Sequence, residues 1–483
     1  MKLQELLCGV DVLEFACDPS LEIEEVCYDS RRGAPGTLFV AIRGYAADGH
    51  AFIAKAVQSG CVAVVCEEKP QADTPYVLVK DSRRALAVLA ANRFGHPERA
   101  LRMVGVTGTN GKTTATHLVK GIVEKATGET VGLIGTNHIL VGERELPSDR
   151  TTPESYELYS VLRQMADEGC KTVVMEVSSH SLSLDRVYGL HFAVAAYTNL
   201  SRDHLDFHNT MDEYARAKSV LFDRCDAAAV NLDDAYAGVM LDGKTCKKLT
   251  YSAENDDADL VAKNIKLKSD RVEFEAVSIG SIGRAVLAIP GLFSVYNALT
   301  AIACCSLLGI APEDTLAALR TLHGVKGRCE VVPVPADYTV LIDYAHSPDS
   351  MENVLKTVRG FARGRVIALF GAGGNRDKTK RPLMGRAGAS LADLCVITTD
   401  NPRNEDPETI ISEVAAGAKG QNAEIVIVTD RRAAIVRALE LARTDDIVVM
   451  LGKGHETYQE VRGEKLHLDE REEIARYFEN KRA

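Results

Sequence analysis

The segment Thr107-Gly108-Thr109-Asn110-Gly111-Lys112-Thr113-Thr114 sets two glycines, a lysine and several hydroxyls side by side. Glycines let backbone N–H groups turn toward phosphate oxygens, and a helix that follows adds the positive end of its dipole. Lys112 brings a point charge, and the Thr113 hydroxyl can ligate magnesium. The chemistry implied is the holding of a nucleoside triphosphate. Only two residues separate Gly108 from Gly111, where the commonest phosphate loop has about four between its glycines.

Further along, Val173-Val174-Met175-Glu176 puts a carboxylate at the end of an apolar run, where a second magnesium ligand is needed. A buried Glu without compensation is costly, so the alternative is a core Glu in a salt bridge. Asn199-Leu200-Ser201-Arg202-Asp203-His204-Leu205-Asp206-Phe207-His208 follows another apolar run. His204 and His208 have the spacing of a zinc pair on a helix, but the Asp-rich setting suits a hard, oxygen-liking ion better. Lys218 lies in a helical segment, 214–222, and by composition alone it reads as a solvent-facing lysine.

Arg403 stands in Thr399-Asp400-Asn401-Pro402-Arg403-Asn404-Glu405-Asp406-Pro407. A planar guanidinium grips a carboxylate with two parallel hydrogen bonds, so Arg403 suits an incoming molecule with an acidic end and is unfavourable beside a cationic one. The plainer alternative pairs it with Glu405 or Asp406. Gly371-Ala372-Gly373-Gly374-Asn375-Arg376 resembles a dinucleotide fingerprint, but Arg376 occupies the place of its third glycine, which argues against NAD. Glu456, in Gly452-Lys453-Gly454-His455-Glu456, is a suitable partner for an ammonium group.

These residues need strands that end in loops. Apolar runs at 103–106, 172–177 and 193–197 each lead into a polar turn and then a helix-period segment, which predicts a mostly parallel sheet wrapped by helices. Runs at 339–342, 366–370, 394–398, 425–428 and 447–451 predict a doubly wound layer whose ligands sit beyond the carboxyl ends of its strands. Before them, runs at 37–42, 61–65 and 76–79 with helical stretches at 51–59 and 82–94 make a smaller α/β unit. A chain of 483 residues exceeds one core. The expected class is α/β with three domains, at 1–98, 99–327 and 328–483, the second of phosphate-loop type and the third Rossmann-like. Hinges are expected near Arg102 and Lys326, with the third domain closing over the second.

The bulk composition limits the partners. With 46% apolar and 26% charged residues the chain is an ordinary globular one, and a formal charge of -11 argues against broad nucleic-acid binding. The most apolar stretch, 298–311, is too short for a bilayer and reads as a buried helix, and the N-terminus lacks a signal-peptide run, so a cytoplasmic protein is expected. The twelve cysteines form no Cys-x-x-Cys pair and read as free thiols. A monomer is expected.

Gly108-Thr109-Asn110-Gly111-Lys112-Thr113-Thr114 resembles the ATP loop of the Mur ligases, which, like the folylpolyglutamate synthases, make amide bonds through an acyl phosphate. Asp29-Ser30-Arg31 is similar to the UDP-binding part of the family's diaminopimelate- and lysine-adding members, and the Asp-Asn-Pro-Arg motif at Asp400 to Arg403 resembles that of the diaminopimelate-adding ones. The likeness covers nearly the whole chain, with a lysine-adding or folate-tail ligase as the nearest alternative. The resemblance implies that ATP is held by Gly108, Thr109, Asn110, Gly111, Lys112, Thr113 and Thr114, with Asn297 for the adenine, Arg328 for phosphate and Asp343 for the ribose. It implies Mg2+ on Thr113, Glu176, His204 and a carbamylated Lys218, and catalytic roles for Lys112, His204 and Lys218. UDP-MurNAc-L-Ala-D-Glu falls to Ser30, Tyr45, Ala46, Ala47, Thr151, Thr152, Ser178 and Arg186; meso-diaminopimelate falls to Arg376, Asp400, Asn401, Pro402, Arg403, Gly452 and Glu456. Two positions depart from the family pattern: Ser294 and Arg150 each stand where relatives often have Asn. A nucleotide hydrolase that ligates nothing is the alternative of another class.

Overall fold

The computed structural model describes residues 1–44, 47–70, 74–148 and 150–482, with all their side chains except those of Asp206 and Arg482. Two compact units form, Met1–Asp259 with Thr300–Ala311, and Leu260–Leu299 with Pro312–Ala483.

The first unit contains two sheets. Its N-terminal sheet has five strands in the order Val12–Ala16, Tyr76–Val79, Ala63–Cys66, Thr37–Val40, Glu25–Cys27. All neighbours are parallel except the first pair. Val40 and Val65 face one core while Phe39 and Val64 face another, so these strands are apolar on both sides, as buried parallel strands must be.

The second sheet of this unit runs Lys247–Ser252, Cys225–Asn231, Phe192–Tyr197, Arg102–Thr107, Thr172–Glu176, Val131–Ile134, all parallel, and closes with the antiparallel strands Ile139–Val141 and Arg144–Leu146. The strand that feeds the glycine loop thus lies between the strands that carry Glu176 and lead to Asn199. Register aligns their carboxyl ends: Glu176 opposes Val106 and Tyr197 opposes Thr107. The loop runs into helix Lys112–Thr127, whose Ala115, Leu118, Val119, Ile122 and Val123 recur at helical spacing and are buried. Burying a side chain such as Leu118 is worth about 1.5–3 kcal/mol. The helix stops where Gly128 takes φ 72°, a conformation that favours glycine.

The second unit has an antiparallel meander, Leu260–Leu267, Val272–Ser278 and Ser281–Leu287, and a six-stranded sheet. The sheet order is Glu330–Val332, Thr339–Asp343, Ile447–Leu451, Val366–Phe370, Leu394–Ile397, Glu424–Ile427, parallel after an antiparallel first strand. Along Val366–Phe370, side chains alternate between two cores. Val366, Ala368 and Phe370 pack with Leu355, Met384 and Val414, while Ile367 and Leu369 pack with Ile435 and Ile474. Helices therefore cover both faces, the doubly wound layout expected.

The strands that were anticipated lie within two residues of their expected positions. Val131–Ile134, Cys225–Asn231, Lys247–Ser252 and the meander were not anticipated. Of the stretch 298–311, residues 298–307 belong to helix Leu292–Leu307, and most of them are buried. Among the described residues no helix is long and apolar enough to cross a membrane.

Candidate active site

The glycine loop is clamped by the segment after strand Phe192–Tyr197. Thr109 N donates to Asn199 O at 2.8 Å and Asn110 N to Asn199 Oδ1 at 3.0 Å; Thr198 Oγ1 and Asn199 Nδ2 donate to Asn110 O at 2.7 and 3.1 Å. Gly108 has φ 148°, and a Cβ placed there would lie 1.9 Å from Thr198 Oγ1, so the clamp requires glycine. Lys112 Nζ folds back over the loop, donating to Gly108 O at 3.0 Å and Thr109 O at 2.9 Å.

Lys218 points at the same carbonyl. It lies on helix Met211–Ser219 and donates to Gly108 O at 3.0 Å. The expectation of a solvent-facing lysine is wrong: its exposure is 1%. The helix turns that face inward because Tyr214, one turn earlier, is buried too, its ring centroid 4.5 Å from Lys218 Nζ. Burial, and then the charge of Lys112, push the Lys218 amine well below the usual lysine range.

Glu176 is buried at its strand end, but no ion pair forms there among the described residues. Instead Thr136 N donates to Oε1 at 2.9 Å, and Thr136 Oγ1 lies 3.0 Å from both Glu176 Oε2 and Thr151 Oγ1. Thr136 is a residue that sequence reasoning missed, since nothing in Gly135-Thr136-Asn137 marks it.

His204 takes φ 53°, with its ring 4.8 Å from that of His180 and Nε2 3.6 Å from Asp203 Oδ2. His208 is buried, its Nε2 2.9 Å from Ser179 Oγ, and burial, followed by His180, Lys218 and His204, pushes its pKa down to about 4. Among the described residues, no three His, Cys, Asp or Glu side chains converge to hold a metal. A magnesium ion requires less, since it keeps several waters and takes one or two protein carboxylates plus phosphate oxygens. The Thr113 hydroxyl and the buried Glu176 carboxylate are oxygen donors of the kind such an ion takes.

Beside Glu176, Thr152 Oγ1 donates to Glu176 O at 2.8 Å and accepts from Ser178 N at 3.1 Å, and Arg186 Nη1 donates to Thr152 O at 3.2 Å. Thr151, Thr152, Ser178 and Arg186 thus come together as expected. Ser30 is buried at the start of the turn Ser30–Arg32, behind Asp29, which accepts from Arg31 N. Ala47 accepts from Gly44 N, and Tyr45 and Ala46 lie outside the described residues.

In the second unit Asn297 is buried in helix Leu292–Leu307, and the Arg328 guanidinium lies 5.6 Å from the Tyr344 ring centroid. Among the described residues, Arg328 Nε is buried without a hydrogen-bond partner. The Asp343 carboxylate accepts from Cys329 N at 2.7 Å and Ala345 N at 2.8 Å, while burial raises its pKa. Ser294 Oγ donates to Pro290 O at 2.8 Å, so the serine is part of the helix start.

A cavity of about 390 Å³ opens beyond the carboxyl ends of the six-stranded sheet. Arg376, Asp400, Asn401, Arg403, Gly452 and Glu456 line it, and Pro402 packs behind, where a Cβ on Gly374 would meet Pro402 O at 1.9 Å. Arg403 pairs with neither Glu405 nor Asp406: Nε donates to Glu460 Oε2 at 2.9 Å and Nη1 to Gly374 O at 2.8 Å. Its Nη2 keeps no protein partner among the described residues. Glu405 is taken by Arg381 and Lys378, and Asp406 caps helix Pro407–Ala418. Lys453, with no exposed side-chain surface, joins Glu456 Oε2 at 2.9 Å to Asn401 Oδ1 at 3.2 Å. Glu460, Arg381 and Lys453 were not anticipated, and only Lys453 stood in a quoted motif.

The cavity carries guanidiniums and carboxylates that suit a zwitterion with an extra acidic end. The glycine loop, two lysines and Glu176 suit a nucleotide with magnesium. Comparison with known proteins agrees. Residues 22–94 match the model described as Mur ligase family, catalytic domain; 106–305 match the Mur ligase middle domain; and 327–454 match the Mur ligase, glutamate ligase domain. The chain is 45% identical over 460 residues, 94% of each chain, to the UDP-N-acetylmuramoyl-L-alanyl-D-glutamate–2,6-diaminopimelate ligase of Clostridium botulinum. It is 45% identical over 475 residues, 98% of each, to the protein of the same name from Caldanaerobacter subterraneus. A solved structure of a ligase so named superposes with a TM-score of 0.74 at 30% identity, covering 100% of this chain and 99% of the other. The α/β, three-domain class read from the strand pattern is the one these relatives share, and the chain belongs to the Mur ligase family.

Proposed function

We propose that this protein joins meso-diaminopimelate to UDP-MurNAc-L-Ala-D-Glu, with ATP cleaved to ADP and phosphate, in the assembly of the peptidoglycan precursor. The observation that carries the reading is Arg403: its fork is braced by Glu460 and Gly374 and lines a cavity shared with Arg376 and Glu456. Meso-diaminopimelate differs from lysine chiefly by a second carboxylate, which is what a guanidinium fork recognises.

The side-chain carboxylate of the D-glutamyl residue attacks the γ-phosphorus of ATP, releasing ADP and giving an acyl phosphate. The diaminopimelate amine then adds to the acyl carbon and expels phosphate, leaving an amide. Gly108 to Thr114 and Lys112 hold the triphosphate, with Asn297, Arg328 and Asp343 assigned to adenine, phosphate and ribose. Thr151, Thr152, Ser178 and Arg186 hold the dipeptide, and Ser30, Tyr45, Ala46 and Ala47 the uridine nucleotide. Arg376, Asp400, Asn401, Pro402, Arg403, Gly452 and Glu456 hold diaminopimelate. Such catalysis is mostly positioning plus charge stabilisation.

Thr113, Glu176, His204 and Lys218 would hold magnesium, which would supply charge neutralisation on the phosphates. As an amine Lys218 is a poor ligand. Its burial beside Lys112 favours the neutral form, which adds CO2 to give a carbamate and a proton and replaces a repelled cation with an anion. Domain limits at 1–98, 99–327 and 328–483, a monomeric state and a cytoplasmic location belong to the same reading.

An ATP-dependent assay comparing meso-diaminopimelate with L-lysine tests it. Amide product with the former and little with the latter is expected. ATP hydrolysis that needs no amino acid would identify a nucleotide hydrolase instead.

A further inference from the structure

Within the first unit, three guanidiniums converge on one carboxylate to which no role has been assigned. Glu154, the residue before helix Ser155–Asp167, is 5% exposed. Arg83 Nη1 lies 3.3 Å from its Oε1; Arg186 Nε and Arg150 Nη1 lie 3.3 and 3.5 Å from its Oε2.

Each of the inner arginines is also tied to backbone. Arg83 Nε donates to Arg43 O at 2.8 Å and its Nη1 to Leu184 O at 3.3 Å, and Arg186 Nη1 donates to Thr152 O at 3.2 Å. Arg83 comes from helix Ser82–Arg93 of the N-terminal sheet, so Glu154 links that helix to the segment holding Thr151, Thr152 and Ser178.

Arg150 is half exposed, but Arg83 and Arg186 are each only 13% exposed and share the one carboxylate, which leaves a surplus of one positive charge with little access to water. Asp185 does not relieve it, being taken by Arg84 and Arg224. An uncompensated charge with little access to water is unfavourable unless a counter-ion arrives.

We infer that Glu154 is a positioning residue for the nucleotide-linked dipeptide, holding Arg186 beside Thr152 and drawing in Arg83 so that the arginines meet the anionic oxygens of that substrate. The inference rests on the proposed function, which names the substrate. Removing Glu154 leaves Arg186 without its carboxylate; removing Arg83 releases the N-terminal helix from the same point.

Steady-state kinetics of Glu154→Gln, varying each substrate in turn, tests this. The KM for UDP-MurNAc-L-Ala-D-Glu is expected to rise at least about tenfold, as for one truncated partner of a buried charge pair, while those for ATP and diaminopimelate hold within about twofold. Glu154→Asp is expected to recover part of the loss. UDP as a competitor separates the anions: weakened UDP inhibition in the variant places the diphosphate there, and unchanged inhibition places the peptide carboxylates there. An unchanged dipeptide KM, or a rise in all three KM values together, overturns the inference. Arg83→Gln carries the same measurement if Glu154→Gln does not fold. Absence of ligation by the unaltered protein would instead sink the functional reading.

Discussion

Arg431 and Glu470 form an ion pair with no exposed side-chain surface on either residue, Nη2 to Oε1 at 2.7 Å. The same guanidinium donates to the carbonyls of Thr399 and Leu451, each one residue before a cavity-lining position, Asp400 and Gly452. The pair therefore fixes two strand ends at once. Breaking a buried pair leaves the surviving charge uncompensated, at about 3–5 kcal/mol. Glu470→Ala is expected to lower the stability of the second unit by that amount in denaturant unfolding. Arg431→Met with Glu470→Met is expected to lose less than Glu470→Ala alone.

Arg403→Lys keeps the charge but loses the fork. Because Glu460 and Gly374 hold the guanidinium through two different nitrogens, an ammonium cannot reproduce the arrangement. The kcat/KM for meso-diaminopimelate is expected to fall about ten- to a hundredfold, as for loss of a bidentate charged hydrogen bond at a half-buried site, with ATP binding unchanged by calorimetry. Retention of full diaminopimelate use would remove Arg403 from the specificity pocket.

Lys112→Ala deletes the charge that lies across the glycine loop. Ligation is expected to drop by about 10²-fold or more, the scale on which positioned electrostatic groups act. Undiminished ATP-dependent ligation would refute the loop's assignment.

Lys218→Met preserves most of the packing against Tyr214 and removes the amine. The variant is expected to fold and to lose ligation, and intact-protein mass spectrometry under neutral, bicarbonate-containing conditions should show the carbamate's added mass only when Lys218 is present. A protein that stays fully active without this amine would need another magnesium ligand.

The Glu405 carboxyl is held at about 2, against an ordinary 4.5, by hydrogen bonds from Arg381 first and then Asn375 N–H and Lys378. A carboxylate with a lowered folded pKa contributes stability above its unfolded value and loses it as pH falls through the folded one. The melting temperature of Glu405→Gln is expected to lie below that of the unaltered protein at neutral pH, with the gap closing between about pH 4.5 and pH 2. A gap that does not change with pH would mean that charge is not what Glu405 contributes.

The parts that were legible in the sequence are those where local pattern and chemistry coincide. Parallel strands buried on both faces appear as unbroken apolar runs, and Glu176 at a strand end, Lys112 at the helix after the glycine loop and Arg403 in a following loop stand where the runs place them. Lys218 was legible only through family likeness, because a lysine on a short polar helix gives no sign that its face turns inward. Thr136, Glu154 and Glu460 were missed since each acts through a partner far away in the chain: Glu176 for the first, Arg83 for the second and Arg403 for the third. The meander was missed because Leu260–Leu267 is apolar at its start and then alternates with charge, a weak version of the two-residue period.

Asn110 gives its N–H to Asn199 and takes two hydrogen bonds on its carbonyl from Thr198 and Asn199. The glycine turn and the chain that runs on to His204 are therefore stitched together and must shift as one piece. Adjusting the fit to a different nucleotide would drag a proposed metal ligand with it, so a single change in the turn acts on fuel and ion together.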